Sequence, residues 1–139
     1  MIVELEAIPQ VAVDFVNADH RREGQLLNEL AEAVEDHRAG RCPASAVSSR
    51  WDALFVHTRE HFGREEAAMQ RTGFPPYPVH KFEHDRVLEQ MKAEGEHFRT
   101  SGDADRLWKY VSTDVPSWFV EHIETMDTVT AQFIASRGG

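Results

Sequence analysis

An all-α fold, an up-down-up-down four-helix bundle with an extended N-terminal arm, is predicted by three features of the sequence. Four stretches repeat apolar residues at helical spacing, Gly and Pro clusters separate them, and no stretch alternates apolar and polar residues as a strand would. At 139 residues, 41% of them hydrophobic, the chain is of ordinary single-domain size with enough apolar material for a substantial core. One domain over 1–139 is expected, with an arm at 1–18 and the bundle at 19–136.

The first helix is expected from about Asp19 to Ala39, with Leu26, Leu27, Leu30 and Val34 as its apolar stripe, and the run Gly40 to Pro43 breaks it. The second runs from Ala44 to about Arg71, carrying Trp51, Leu54, Phe55, Phe62 and Met69, until TGFPPYP makes continuation impossible. Pro78 suits the first turn of the third, which reaches about Arg99 with Phe82, Val87, Leu88 and Met91 among its apolar positions. The fourth occupies about Ala104 to Ser136. Pro116 is expected to kink or interrupt it, since proline removes one backbone hydrogen bond and crowds the preceding turn. Short connections between four helices give the up-down-up-down order.

Composition excludes several function classes. The formal net charge is −9, from 24 acidic against 15 basic residues, and no basic run offers the clustered cations that nucleic acid requires. The N-terminal stretch MIVELEAIPQVAVDF lacks a cationic start followed by an apolar run, and nowhere do 18 apolar residues stand together, so no membrane insertion and a cytoplasmic location are expected. The single cysteine, Cys42, precedes Pro43 in a predicted loop; it cannot make an internal disulfide, and nothing near it would activate a thiol.

The chemistry lies in eight histidines. His61 and Glu65 are four apart, as are His80 and His84, which places each pair on one face of its helix. One such pair alone is more simply read as surface or capping residues; two on adjacent helices point to a shared interior site. His122 stands in the apolar context WFVEHI and His20 follows Asp19, so each predicted helix carries at least one candidate. Familiar alternatives fail: HKFEH has Lys81 where a zinc protease's HExxH needs glutamate, and ferritin-like bundles need two Glu-x-x-His motifs where this chain has only Glu94 to His97. A cysteine zinc site is excluded by the cysteine count, and no calcium-loop pattern is present. What remains is a site rich in imidazole. His37 and His97 are read as solvent-facing, His37 near the end of its helix, where a cation is favourable.

The order His20, HFGREE with His61 and Glu65, HKFEH with His80 and His84, and HIETMD with His122 and Asp127 resembles the hemerythrin family, in its bacterial single-domain branch, bacteriohemerythrin. The framing agrees as well, in DxxxxDH before the first histidine, EEAAM after the glutamate and GFPPYPVH before the third helix. The resemblance alone supplies Asp127, because five residues turn a helix by about 140° from His122. It implies two iron ions joined by a bridging oxo or hydroxo group. His80, His84 and His122 would complete one ion and His20 and His61 the other, with Glu65 and Asp127 bridging. The ion with two histidines would have the open position, where O2 is held as a hydroperoxide and released when the steps reverse, in a pocket lined by Phe62, Trp118, Phe119 and Ile123. These aromatic residues at helical spacing are also ordinary core material.

Two departures from the family pattern stand out: Phe119 where leucine is common, and His57 where bacterial relatives often have tyrosine. His57 lies one turn before His61 and is read first as a packing or supporting residue of that histidine, with a proton source or an extra ligand as alternatives. Reversible O2 carriage or storage is the expected function, and the chain is not expected to be an enzyme. An O2 or redox sensor acting through a partner protein is the next reading, since 139 residues hold no signalling module. A di-iron enzyme acting on peroxide or nitric oxide is the third.

Overall fold

The computed structural model describes residues 1–138, and among them every regular element is helical. Helix α1 spans Asp14–Arg38, α2 Ala44–Thr72 and α3 Tyr77–Ser101. The fourth rod, α4, covers 104–136 as three α-helical segments, Ala104–Lys109, Val115–His122 and Thr128–Ser136, joined by π-helical turns at Tyr110–Asp114 and Ile123–Asp127. Connections this short force successive helices to run antiparallel, and the result is the expected four-helix bundle. Gly73 at φ 72° and Gly102 at φ 69° close α2 and α3 in the left-handed conformation that glycine adopts without strain.

The arm is shorter than expected. It ends at Val13 because α1 begins five residues before Asp19, and it contains a 3₁₀ turn at Leu5–Ala7. Two asparagine side chains on α1 tie it down. Asn28 donates to the Val3 carbonyl (2.9 Å) and accepts from its N–H (2.7 Å), and Asn17 does the same for Val11 at 2.8 Å each way. Gly24 makes the docking possible, since a Cβ there would sit 2.9 Å from Leu5 Cδ2 and 3.1 Å from Ile8 Cδ1. The helix cost of a mid-helix glycine, about 1 kcal/mol, is offset by burial of Val3 and Ile8.

Phe82 is not a core residue. His80, His84, Val87 and Met91 occupy the inward stripe of α3, and a residue two positions after His80 lies on the opposite side, so Phe82 is 71% exposed. His37 is not solvent-facing either: it is half-buried, its Nδ1 lies 2.9 Å from the Cys42 carbonyl, and its ring meets Phe98 edge-on. His97 is partly exposed, 3.7 Å from Asp103.

Pro116 leaves α4 unbroken. The π turn just before it bonds Val115 N–H to the Tyr110 carbonyl, five residues back, and Pro116 then occupies the first turn of the next segment. The break in register absorbs the missing N–H.

Two apolar clusters lie along the bundle. The larger gathers Leu26, Leu27, Leu30, Trp51, Leu54 and Phe98 with their neighbours; the smaller gathers Val16, Met69, Phe74, Ala131 and Ile134. Between the two, His20, His61, His80, His84 and His122, at least one from each helix, form one buried polar layer across the bundle.

Candidate metal centre

Seven side chains make this layer: His20 from α1, His61 and Glu65 from α2, His80 and His84 from α3, and His122 and Asp127 from α4. None is more than 5% exposed. Their potential ligand atoms fall into two groups, each with all atoms within 4.8 Å of one another. One group is Glu65, His80, His84, His122 and Asp127; the other is His20, His61, Glu65 and Asp127. The two carboxylates belong to both.

Asp127 reaches this layer through the second π turn. Thr128 N–H bonds to the Ile123 carbonyl, and Thr128 Oγ1 donates to the same oxygen at 2.7 Å, so the turn holds one residue more than an α-turn. That extra residue brings position i+5 round beneath position i. Asp127 Oδ1 consequently lies 3.1 Å from His122 Nε2, across a spacing that would diverge on a regular α-helix.

Every imidazole directs Nε2 inward, and supporting residues hold three of them. His61 Nδ1–H donates to Asp19 at 2.9 Å, His84 Nδ1–H donates to Glu66 at 2.8 Å, and His80 Nδ1 shares a hydrogen bond with Thr130 Oγ1 at 2.8 Å. Arg64 grips Asp19 with two nitrogens, at 2.9 and 2.8 Å. Burial by itself would raise the Asp19 carboxyl, but the hydrogen bonds and charges of His61 and Arg64 outweigh it and hold the group well below the usual carboxylate range. Such partners fix the ring tautomer and increase ligand basicity. Aromatic faces complete the packing: Phe62 stacks on His84 with centroids 3.8 Å apart, Trp118 stacks on His122 at 4.5 Å, and Phe119 meets His20 edge-on at 5.7 Å.

The inward atoms fit a metal better than they fit each other. Glu65 Oε1 and Oε2, His84 Nε2 and Asp127 Oδ1 are buried without a hydrogen-bond partner. Yet His80 Nε2 is 2.8 Å from Glu65 Oε1 and 3.1 Å from Asp127 Oδ1. Contacts this close but misaligned arise when lone pairs converge on a common point between them. Electrostatics agrees. Burial first, and the adjacent Asp127 carboxylate second, push Glu65 up to about 8. Burial lowers His80, but the facing Asp127 and Glu65 carboxylates prevail and raise it to about 9, as a cation placed among them would be favoured.

Replacing Asp19 with alanine is therefore expected to weaken metal binding at the His20–His61 group by about 10–100-fold while leaving the fold intact. Competition titration against a chelator measures it; unchanged affinity would reduce Asp19–Arg64 to a surface ion pair.

The chain matches the family model described as hemerythrin HHE cation binding domain over residues 11–134. The chain belongs to the hemerythrin family. Among its relatives, the bacteriohemerythrin of Ralstonia nicotianae is 36% identical over 123 residues, covering 88% of this chain and 81% of that one. The bacteriohemerythrin of Aquifex aeolicus is 24% identical over 132 residues, covering 95% and 97%. A crystal structure of a hemerythrin point mutant carrying tyrosine in place of a leucine superposes with TM-score 0.79 over 95% of both chains at 23% identity, which shows the shared fold. Hemerythrins are non-haem iron, O2-binding proteins. No helix among the described residues of this hemerythrin is long and apolar enough to cross a membrane.

The four residues expected to line an O2 pocket are placed differently from one another. Trp118 and Phe119 line a cavity with about 30 Å³ of space for water-sized guests, bounded also by Glu23, Leu27, Thr58, Val87, Met91 and Tyr110. Phe62 and Ile123 are buried in the larger apolar cluster and do not border that cavity. His57 stacks parallel to His61, centroids 6.3 Å apart, and its Nε2–H donates to the Asp19 carbonyl at 3.0 Å. Sequence reasoning missed Glu66, Thr130 and Glu23. Glu66 was visible as the second residue of the Glu65–Glu66 pair; the other two carry no signal apart from their position three residues beyond Asp127 and His20.

Proposed function

We propose that the chain binds O2 reversibly at a non-haem di-iron centre and serves as an O2 carrier or store. The observation that supports this most is the pair of ligand groups sharing Glu65 and Asp127. Such a layout would suit two ions: His80, His84 and His122 would hold one, His20 and His61 the other, and Glu65 and Asp127 could serve both. Imidazole and carboxylate suit iron, and two buried carboxylates with a bridging hydroxide offset most of the charge of a ferrous pair. The ion with two histidines would have one protein ligand fewer and so would leave room for a small ligand.

Bound there, the iron pair supplies the electrons that hold O2. The protein's own part is to position and to exclude. Asp19, Glu66 and Thr130 fix the ring orientations, and Phe62, Trp118 and Phe119 pack against the ligand rings and keep water from the layer, where access would favour irreversible oxidation.

The test is an absorption spectrum of the iron-reconstituted ferrous protein taken without oxygen, then under air, then under argon. A near-ultraviolet and visible charge-transfer band that appears with air and vanishes under argon is expected. Direct passage to a stable ferric spectrum would overturn the carrier reading and favour an oxidant-processing enzyme or a sensor.

A further inference from the structure

Beside the histidine layer stands a third buried acid, one that the metal centre does not use. Glu23 lies three residues after His20 on α1, is 8% exposed, and lines the cavity behind Phe119. Its Oε2 has no hydrogen-bond partner. Its Oε1 lies 2.5 Å from Thr58 Oγ1, which in turn lies 2.8 Å from the Leu54 carbonyl.

The Thr58 hydroxyl has one hydrogen and two acceptors within reach, the Leu54 carbonyl and Glu23 Oε1. When Thr58 donates to Leu54, the hydrogen in the shorter contact is Glu23's own. With Oε2 buried and unpartnered, the site suits the neutral acid. Burial favours the same form and outweighs the Thr58 hydrogen bond, which acts the other way, and the nearby Asp19 charge adds to it.

A neutral acid in an apolar cavity needs a route to water, and His57 offers one. Its Nε2 is 3.5 Å from Glu23 Oε2, and its side chain is 13% exposed. That gap closes by a small ring rotation or through one water. The other polar groups at the cavity are Gln90 on α3 and Tyr110 and Asp114 on α4; Gln90 and Asp114 are exposed and mark its solvent end. Tyr110 stays neutral, raised first by burial.

We propose that Glu23 is the proton donor to small guests reduced at the metal centre, recharged from solvent through His57. The proposal rests on the O2-binding reading above. With a ferrous pair bound, O2 would take two electrons from it and would need two protons to leave as hydrogen peroxide. One would come from the hydroxide held with the ions. The other comes from Glu23: its O–H bond breaks, His57 Nε2–H passes its proton to the carboxylate, and His57 Nδ1 takes one from water in the same exchange, so the ring ends neutral in its other tautomer. Glu23 thereby sets how long the oxygenated form lasts and tilts this chain towards oxidant consumption.

The proposal is tested first without iron. The infrared difference between wild type and E23Q in the metal-free chain at neutral pH is expected to contain the carbonyl band of a protonated carboxylic acid that shifts in D2O; a difference spectrum lacking it overturns the proposal. In the iron-loaded, oxygenated protein, E23Q and H57Q are both expected to slow conversion to the ferric form by roughly 100-fold and to abolish its solvent isotope effect. H57Q leaves the buried acid in place and so decides the matter if E23Q folds poorly. A wild-type oxygen band with decay unchanged in H57Q and E23Q overturns the proposal alone. No oxygen band in the wild type overturns the O2 reading together with it.

Discussion

Replacing Glu65 with alanine is expected to abolish iron loading at both positions together, with affinity falling by more than the roughly 10–100-fold that loss of a supporting residue costs. Glu65 and Asp127 are the only members common to both ligand groups, so removing either takes one ligand from each ion. His84→Ala, by contrast, is expected to weaken only the ion held by three histidines. Metal content after desalting, followed by chelator competition, separates the cases. A second sign distinguishes ligation from packing. In the metal-free chain Glu65 is a buried acid pushed up by burial and by Asp127, and its removal relieves that repulsion. Glu65→Ala should thus be no less stable than wild type without metal, yet clearly less stable once iron is supplied. Two irons retained by Glu65→Ala would end the bridging assignment.

Chelation of the metal should lower the thermal midpoint by about 10–20 °C. A ligand present at 1,000 times its dissociation constant stabilises the folded state by about 4 kcal/mol, and each kcal/mol moves the midpoint by a few degrees in a domain of this size. The layout of the core explains why the loss is felt globally. The histidine layer separates two apolar clusters, so without a cation each helix brings unpaired nitrogens or carboxylates into the middle of the bundle. The metal-free chain should also lose stability as pH rises. Glu65, raised to about 8, and His80, raised to about 9, both hold protons more tightly folded than unfolded, so their contribution fades from about pH 5 to pH 9. Asp127 is shifted the opposite way and acts only below the ordinary carboxylate range. Differential scanning calorimetry with and without chelator at pH 6 and pH 9 measures both effects. An identical midpoint with and without bound metal would separate the centre from folding.

What the sequence determined by itself is local in origin. Gly40 and Gly73 with the prolines that follow them, and Gly102 by itself, end the helices, and the apolar stripes set which faces turn inward. His61 with Glu65, and His80 with His84, share a face because four residues make about one turn, and that geometry needs no other part of the chain. The likeness in motif order added Asp127, and with it the family.

Only the tertiary structure decided the rest. Asp127 comes under His122 because a π turn at Ile123–Asp127 shifts the helical phase, and a residue pattern read at 100° per residue cannot register that shift. Phe82 faces out despite being apolar, because the histidines claim the inward stripe of α3. Glu23, His57 and Thr58 meet because α1 packs on α2 at that depth of the bundle. Spacing along one helix fixes which residues share a face. Which faces meet, and at what height, depends on packing between helices, and the buried acid Glu23 lies at such a meeting.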